Sequence, residues 1–234
     1  MRLIILPLSF LTMAFASPKD SDECVTCHGN VPATAAPNSD LEPPQLPQTY
    51  SMDWDMFEFS SDARPPVESI PKANQQIHGK TYYDWTRQSM TEVYQERCID
   101  IFPAGREFPC QFTSIKDRTY FVRFSTTTKN QPESCCLWRD TAFWAPRPDV
   151  LRNMIFDRDM RYGNKNTRWW TLDVPLPGPF GYGVADGRPT AFWFPVISGW
   201  VQQVFHHFST RQPSADAFAL PAVCQSKILP ICEQ

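Results

Sequence analysis

Beyond its first sixteen residues the 234-residue chain contains no stretch long and apolar enough to cross a bilayer as a helix. It also has no Asn-x-Ser/Thr acceptor, so N-glycosylation is not expected. Its formal net charge is only −3, and no basic cluster forms a surface that could track phosphates, which argues against nucleic acid as a partner. There is no Gly-x-Ser-x-Gly elbow and no Ser/His/Asp ordering to single out a nucleophile. Phosphate loops and dinucleotide fingerprints are absent too. The expectation is therefore a protein that binds rather than catalyses, with no transmembrane segment.

What the chain does have begins at its N-terminus. Arg2, the apolar run from Leu3 to Phe15 and the small-residue pattern Ala14-Phe15-Ala16 describe a secretory signal over residues 1–16. A run this short, broken by Pro7 and Ser9, is a poor membrane anchor. The implied home is extracellular or lumenal, including the lysosomal lumen. All eight cysteines lie beyond the cleavage point, so a disulfide framework is expected there.

Residues 17–49 read as a Pro-rich extended arm without apolar periodicity. The arm holds Cys24-Val25-Thr26-Cys27-His28, the spacing that attaches a c-type haem. The Pro-rich sequence after His28 supplies neither an apolar pocket nor a helical wrap, so a disulfide at Cys24 and Cys27 is the favoured reading over haem. Zinc lacks a second Cys or His pair at finger spacing.

From Tyr50 to Gln234 the pattern is that of one β domain with a C-terminal tail. Met52, Trp54 and Met56 alternate with Asp53 and Asp55, the period-two signature of a half-buried strand. About nine such segments follow one another, separated by polar turns such as Lys116-Asp117 and Asp186-Gly187. Residues 146–162, opened by Asp149 with Val150, Leu151, Met154 and Ile155 at helical spacing, give the one expected helix. The fold class is thus all-β with little helix, as two curved antiparallel sheets or an open half-barrel around a hydrophobic cleft, stapled by disulfides.

Cys98 and Cys110 flank a Pro/Gly turn and could bridge a hairpin or each reach elsewhere. Cys135 and Cys136 are adjacent, and since a bridge between neighbours strains the peptide, each is expected to pair with a distant strand, tying several strands to one point. Cys224 and Cys232 could staple the tail to the sheet. Aromatic residues make up 14% of the chain, which makes an apolar cleft reasonable for the set Trp54, Phe57, Phe59, Trp85, Phe121, Trp193, Phe194, Trp200 and Phe205. His206 and His207 lie on a strand, where neighbours point to opposite faces, so at most one is expected to reach a shared site. Asp84, Asp100, Asp149, Asp157 and Asp159 read as solvated carboxylates, and Asp157-Arg158-Asp159 lacks the glycine and further oxygens of a calcium loop.

The order of these features resembles the ependymin-related proteins. The resemblance rests on the signal peptide, the strands with paired cysteines and Ile115-Lys116-Asp117 before an aromatic strand. A cysteine at Cys135 or Cys136, a late Trp/Phe/Val-rich strand and Phe218-Ala219-Leu220-Pro221 before Cys224 complete it. It covers about residues 50 to 226. It implies two antiparallel sheets curved round a deep hydrophobic pocket, a shape similar to bacterial lipoprotein carriers of the outer-membrane localisation pathway. It also implies secreted or lysosomal residence, binding of lipids or other hydrophobes, calcium binding and a homodimer. The Cys24/Cys27 arm, Cys232 and the missing glycosylation acceptors depart from that family's pattern. The alternative functions are a matrix or adhesion protein with calcium-dependent contacts, and a c-type haem protein through Cys24, Cys27 and His28.

Overall fold

The computed structural model describes residues 42–59, 65–66, 76–99, 107–138, 145–162, 165–172, 179–196 and 199–232. The signal sequence, the Cys24-x-x-Cys27-His28 motif and Asp100 lie outside the described residues. Eleven strands form one antiparallel sheet: β1 (Thr49–Phe59), β2 (Gln76–Asp84), β3 (Ser89–Tyr94), β4 (Cys110–Ile115), β5 (Arg118–Phe124), β6 (Pro132–Trp138), β7 (Ile155–Tyr162), β8 (Lys165–Leu172), β9 (Phe180–Ala185), β10 (Arg188–Val196) and β11 (Gly199–Ser209). Their spatial order is β6-β5-β4-β3-β2-β1-β11-β10-β9-β8-β7. Two up-and-down meanders, β1 to β6 and β7 to β11, are therefore joined where the first strand pairs with the last. The all-β class with little helix holds, and of the two expected arrangements, two sheets or an open half-barrel, the strands form one continuous sheet rather than two.

The edges of this sheet are β6 and β7, which are consecutive in sequence. Laid flat, ten strand spacings of about 4.8 Å would separate them by about 48 Å. The link between Trp138 and Ile155 could span that only if nearly extended, at no more than about 3.5 Å per residue. Instead its second half is coiled into successive turns, with Val150 N donating to Arg147 O, Arg152 N to Asp149 O and Met154 N to Leu151 O. The sheet must curl to bring its edges together, as twisted sheets of this width do. The link then crosses the inner side: Ala145 N donates to Ser114 Oγ of β4, and the Tyr83 hydroxyl of β2 donates to Pro146 O.

Those turns replace the expected helix. The apolar spacing that suggested it is satisfied within one turn, which buries Leu151 and Met154 while Ile155 is left 60% exposed. Asp149 opens no helix; its carboxylate accepts from Arg147 and Arg152. From Ile155 onward the backbone gains more by pairing with β8 than by coiling.

Alternation fixes the two faces. Tyr50, Met52, Trp54 and Met56 of β1 point inward and join one apolar cluster that runs through both meanders, including Tyr94, Phe112, Phe121, Trp138, Trp170, Tyr182, Val201 and Phe205. Residues 42–48 belong to this body. Leu46 packs against the cluster, its N–H donates to Pro148 O, and Trp85 N donates to Gln48 O. Asp84 ends β2 fully buried and caps the 3-10 turn Trp85–Arg87 by accepting from Thr86 N, while Gln212 reaches it from beyond β11. Burial would raise its pKa, but the hydrogen bonds from Thr86 and Gln212 and the Arg87 guanidinium outweigh it and hold the carboxyl below its usual value. Asp84 is thus a structural cap rather than a solvated group.

The disulfides close this architecture. Cys98–Cys110 bridges the end of β3 to the start of β4, and Cys135–Cys224 and Cys136–Cys232 hold the tail. Adjacent cysteines on β6 point to opposite faces, so the tail is clamped on both sides of the sheet edge. Between the clamps, Leu137 N donates to Pro230 O and Cys232 N to Leu137 O, which covers the edge that β6 would otherwise expose. On the outer face, Val122, Cys135 and Cys224 form a small core with Leu220, Val223 and Leu229. The opposite edge is defended by charge: β7 carries Asp157, Arg158, Asp159 and Arg161, with Asp157 paired to Arg158 and Asp159 to Arg168. No helix among the described residues is long and apolar enough to cross a membrane.

Candidate functional site

The inner face is an aromatic surface interrupted by few polar groups. In the first meander Trp54 meets Tyr94 edge-on at 4.9 Å, Tyr94 meets Phe112 at 6.1 Å and Phe112 meets Phe121 at 5.0 Å. In the second, Tyr182 lies 6.3 Å from Phe205 and 6.4 Å from Phe192, which in turn lies 5.3 Å from Phe194. Register aligns these side chains in rows across the sheet. One row is Met52, Thr81, Glu92 and Phe112; the next holds Trp54, Gly79 and Tyr94, with Phe205 opposite Trp54.

Glu92 is a carboxylate within this surface, and Glu58, at the end of β1 in the row of Val201 and Phe194, shares its inward parity. Solvent still reaches part of Glu92, yet protein crowds it as it does a core side chain. Burial pushes its carboxyl up to about 7, although hydroxyl donors at Tyr94 and Thr81 pull the other way. Tyr94 Oη donates to Glu92 Oε2 at 3.3 Å, and Thr81 Oγ1 itself accepts from Trp54 Nε1 at 2.9 Å. Tyr50 stacks on Tyr83 with centroids 4.7 Å apart and lies close enough to Glu92 and Tyr182 for their charges to interact. Burial is the main reason that Tyr50, Tyr94 and Tyr182 all titrate above the usual phenol range.

Two recesses open at the end of the sheet marked by the β9–β10 turn. The first, of about 310 Å³, lies between Pro44, Gln45 and Pro47 on one side and Tyr182, Val184 and Phe208 on the other. The second, of about 720 Å³, continues over Trp170 and Val184 to Asp159 and Arg168. Both volumes suit a small ligand. Residues 42–47 form one wall of each, so the stretch just before β1 helps shape the entrance.

The nine aromatic residues expected to line a cleft separate by strand parity. Trp54, Phe121, Phe194 and Phe205 lie on the inner face, with Trp85 packed at its rim. Trp193 and Trp200 lie on the outer face of the second meander, 5.6 Å apart in an edge-on pair, in a separate cluster with Tyr162 and Trp169. There the Trp193 indole lies directly over Gly181, where an added Cβ would sit 2.0 Å from Nε1. Phe57, opposite Gln76 and Gln202, also faces outward, and Phe59 ends β1. Residues that the aromatic inventory missed, Glu92, Tyr50, Tyr182 and Phe192, share the inner face. The readable signal for Glu92 was its parity with Tyr94.

The expectation for the histidine pair is corrected. Between Ser51 and Asp53 the pairing with β11 slips by one residue, and His207 adopts a left-handed conformation with φ 47°. The bulge turns both rings to the outer face, His206 Nε2 to Asp55 Oδ2 and His207 Nδ1 to Asp53 Oδ2, each at 3.1 Å. His78 also pairs with Asp55, and Lys80 with Asp53. Each carboxylate is thus already shared between two partners. Among the described residues no group of three or more His, Cys, Asp or Glu is arranged to hold a metal ion.

Fold and site together define an all-β protein with one curled antiparallel sheet, an aromatic inner face and a tail clamped by two disulfides. No protein-family model matches the chain, and no curated protein matches it in sequence. Among solved structures it is similar to an uncharacterized conserved protein from Thermus thermophilus, with a TM-score of 0.45 and 8% identity over 81% of this chain and 92% of that one.

Proposed function

We propose that this is a secreted or lumenal, non-catalytic carrier that holds a lipid or similar hydrophobe against the inner face of its sheet, as the resemblance to ependymin-related proteins implies. The observation that carries the reading is incomplete burial. Phe156, Leu172, Phe192, Phe194 and Val196 pack against the main apolar cluster yet remain partly exposed, where a sealed core would exclude solvent from all of them. Disulfides and the lack of a membrane-crossing helix among the described residues are compatible with that setting.

The test compares faces. Phe194→Asp places a charge on the inner face, whereas Trp200→Ala removes a ring from the outer cluster. Burying one large aromatic side chain is worth about 1.5–3 kcal/mol. Phe194→Asp is therefore expected to weaken uptake of a fluorescent fatty-acid or phospholipid probe by about 10- to 100-fold. Trp200→Ala should lower the denaturation midpoint while leaving probe affinity within about twofold. The reverse order of effects would overturn the reading.

A further inference from the structure

Building on the carrier reading, we propose that the ligand is an amphiphile with a cationic amine head group, seated between the Glu92 carboxylate and the rings of Tyr50, Trp54 and Tyr94. Glu92 sits in the row of Thr81 and Met52, one row from Tyr94 and Trp54. Its polar partners are the hydroxyls of Tyr94 and Thr81, and among the described residues no Lys, Arg or His contributes to its electrostatics. The strands packed around it present Thr81 and Tyr83 from β2, Met90 and Tyr94 from β3, Phe112 from β4, and Tyr50 and Met52 from β1. Tyr182 faces Tyr50 from β9, and Asp84 and Asp149 lie beyond Tyr83. The ionisable side chains nearest Glu92 are the phenols of Tyr50, Tyr83, Tyr94 and Tyr182, and the arginines Arg87, Arg147 and Arg152 pair instead with Asp84 and Asp149 beyond Tyr83.

A carboxylate set into an apolar, aromatic surface is an arrangement that recognises ammonium, which gains a charge-assisted ion pair there. An anionic head group would meet Glu92 as a like charge, and a neutral one would leave its charge unanswered. From Glu92 to the row of Phe194 is three rows, about 20 Å along the strands, which gives an alkyl tail the aromatic track through Phe205 and Phe192. The ion pair also fixes a pH dependence. Glu92 takes up a proton near pH 7, so amine affinity should fall between pH 8 and pH 5 while the amine itself stays charged.

The experiment titrates the full mature protein with decylamine, decanol and decanoate at pH 8 and pH 5, by calorimetry, alongside Glu92→Gln and Tyr94→Phe. At pH 8 decylamine is expected to bind at least about tenfold tighter than either partner, and Glu92→Gln should abolish that preference while keeping decanol affinity. Tyr94→Phe, which retains the ring, should keep most of the preference. Glu92→Gln should also melt no lower than the parent at pH 8. A carboxyl whose pKa is raised by folding gives stability that is full below its unfolded value and is lost as pH rises through about 7. Binding of decanol as tightly as decylamine, or an amine preference that survives Glu92→Gln, would overturn the proposal and leave the carrier reading standing. Binding of none of the three would sink both.

Discussion

Gly79→Ala is expected to cost about 3 kcal/mol, the upper end of what overpacking a well-filled core usually costs. Gly79 sits in the second strand, one position from the centre of the sheet. An added Cβ would lie 2.1 Å from Cη2 and 2.2 Å from Cζ2 of Trp54, and 2.5 Å from the Val93 carbonyl oxygen. The indole cannot swing away, because its Nε1 is held by Thr81 and its edge meets Tyr94. The backbone oxygen cannot move without breaking the β2–β3 ladder. Urea unfolding measures the loss, with Gly187→Ala as the comparison. Gly187 has φ +70° and nothing within 4 Å of an added Cβ, so its cost is one of backbone conformation alone, about 1 kcal/mol. Equal costs at the two glycines would show that Trp54 is not seated over β2.

The second large effect lies in the paired disulfides of β6. They close loops with sequence separations of 89 and 96, and each such loop is worth about 4.6 kcal/mol by chain entropy when it stands alone. The loops are nearly the same loop, so the second bridge adds little once the first is present. Cys136→Ala with Cys232→Ala should therefore cost only about 1 kcal/mol, and removing all four cysteines about 5 kcal/mol. The fourfold variant should also expose the outer cluster at Val122 and uncover the β6 edge, so that limited proteolysis cuts between Gln212 and Cys232. Losses that simply add would mean that the two bridges constrain different parts of the unfolded chain.

Local patterns made much of this readable. Alternation in Met52-Asp53-Trp54-Asp55-Met56 placed β1 and both its faces, and Asp186-Gly187 marked the β9–β10 hairpin that is found. The adjacency of Cys135 and Cys136 pointed away from a bridge between them and to distant partners, but those partners lie in the tail after β11 and not on the expected strands. What local pattern does not encode is parity across bulges and the pairing of distant strands. The one-residue slip at His207 reversed the expected divergence of the histidines, and the inner or outer placement of Trp193 depends on its register with Gln202 and Gly181. The apolar spacing of Val150 to Ile155 fits one turn as well as a helix, and only the partner strand β8 decides between them. Bulk and aromaticity drew attention to nine rings, whereas a group that marks the inner face chemically is the glutamate opposite Thr81 and Phe112.

The most direct test of carriage is native mass spectrometry of the protein purified from a secreting host, followed by organic extraction of the same sample. A carrier should show a mass excess that is lost on denaturation and should release a hydrophobic compound into the organic phase. The stripped protein should then take up a fluorescent fatty-acid or phospholipid probe. A mass equal to that of the bare chain, an empty extract and no probe uptake after stripping would contradict the account.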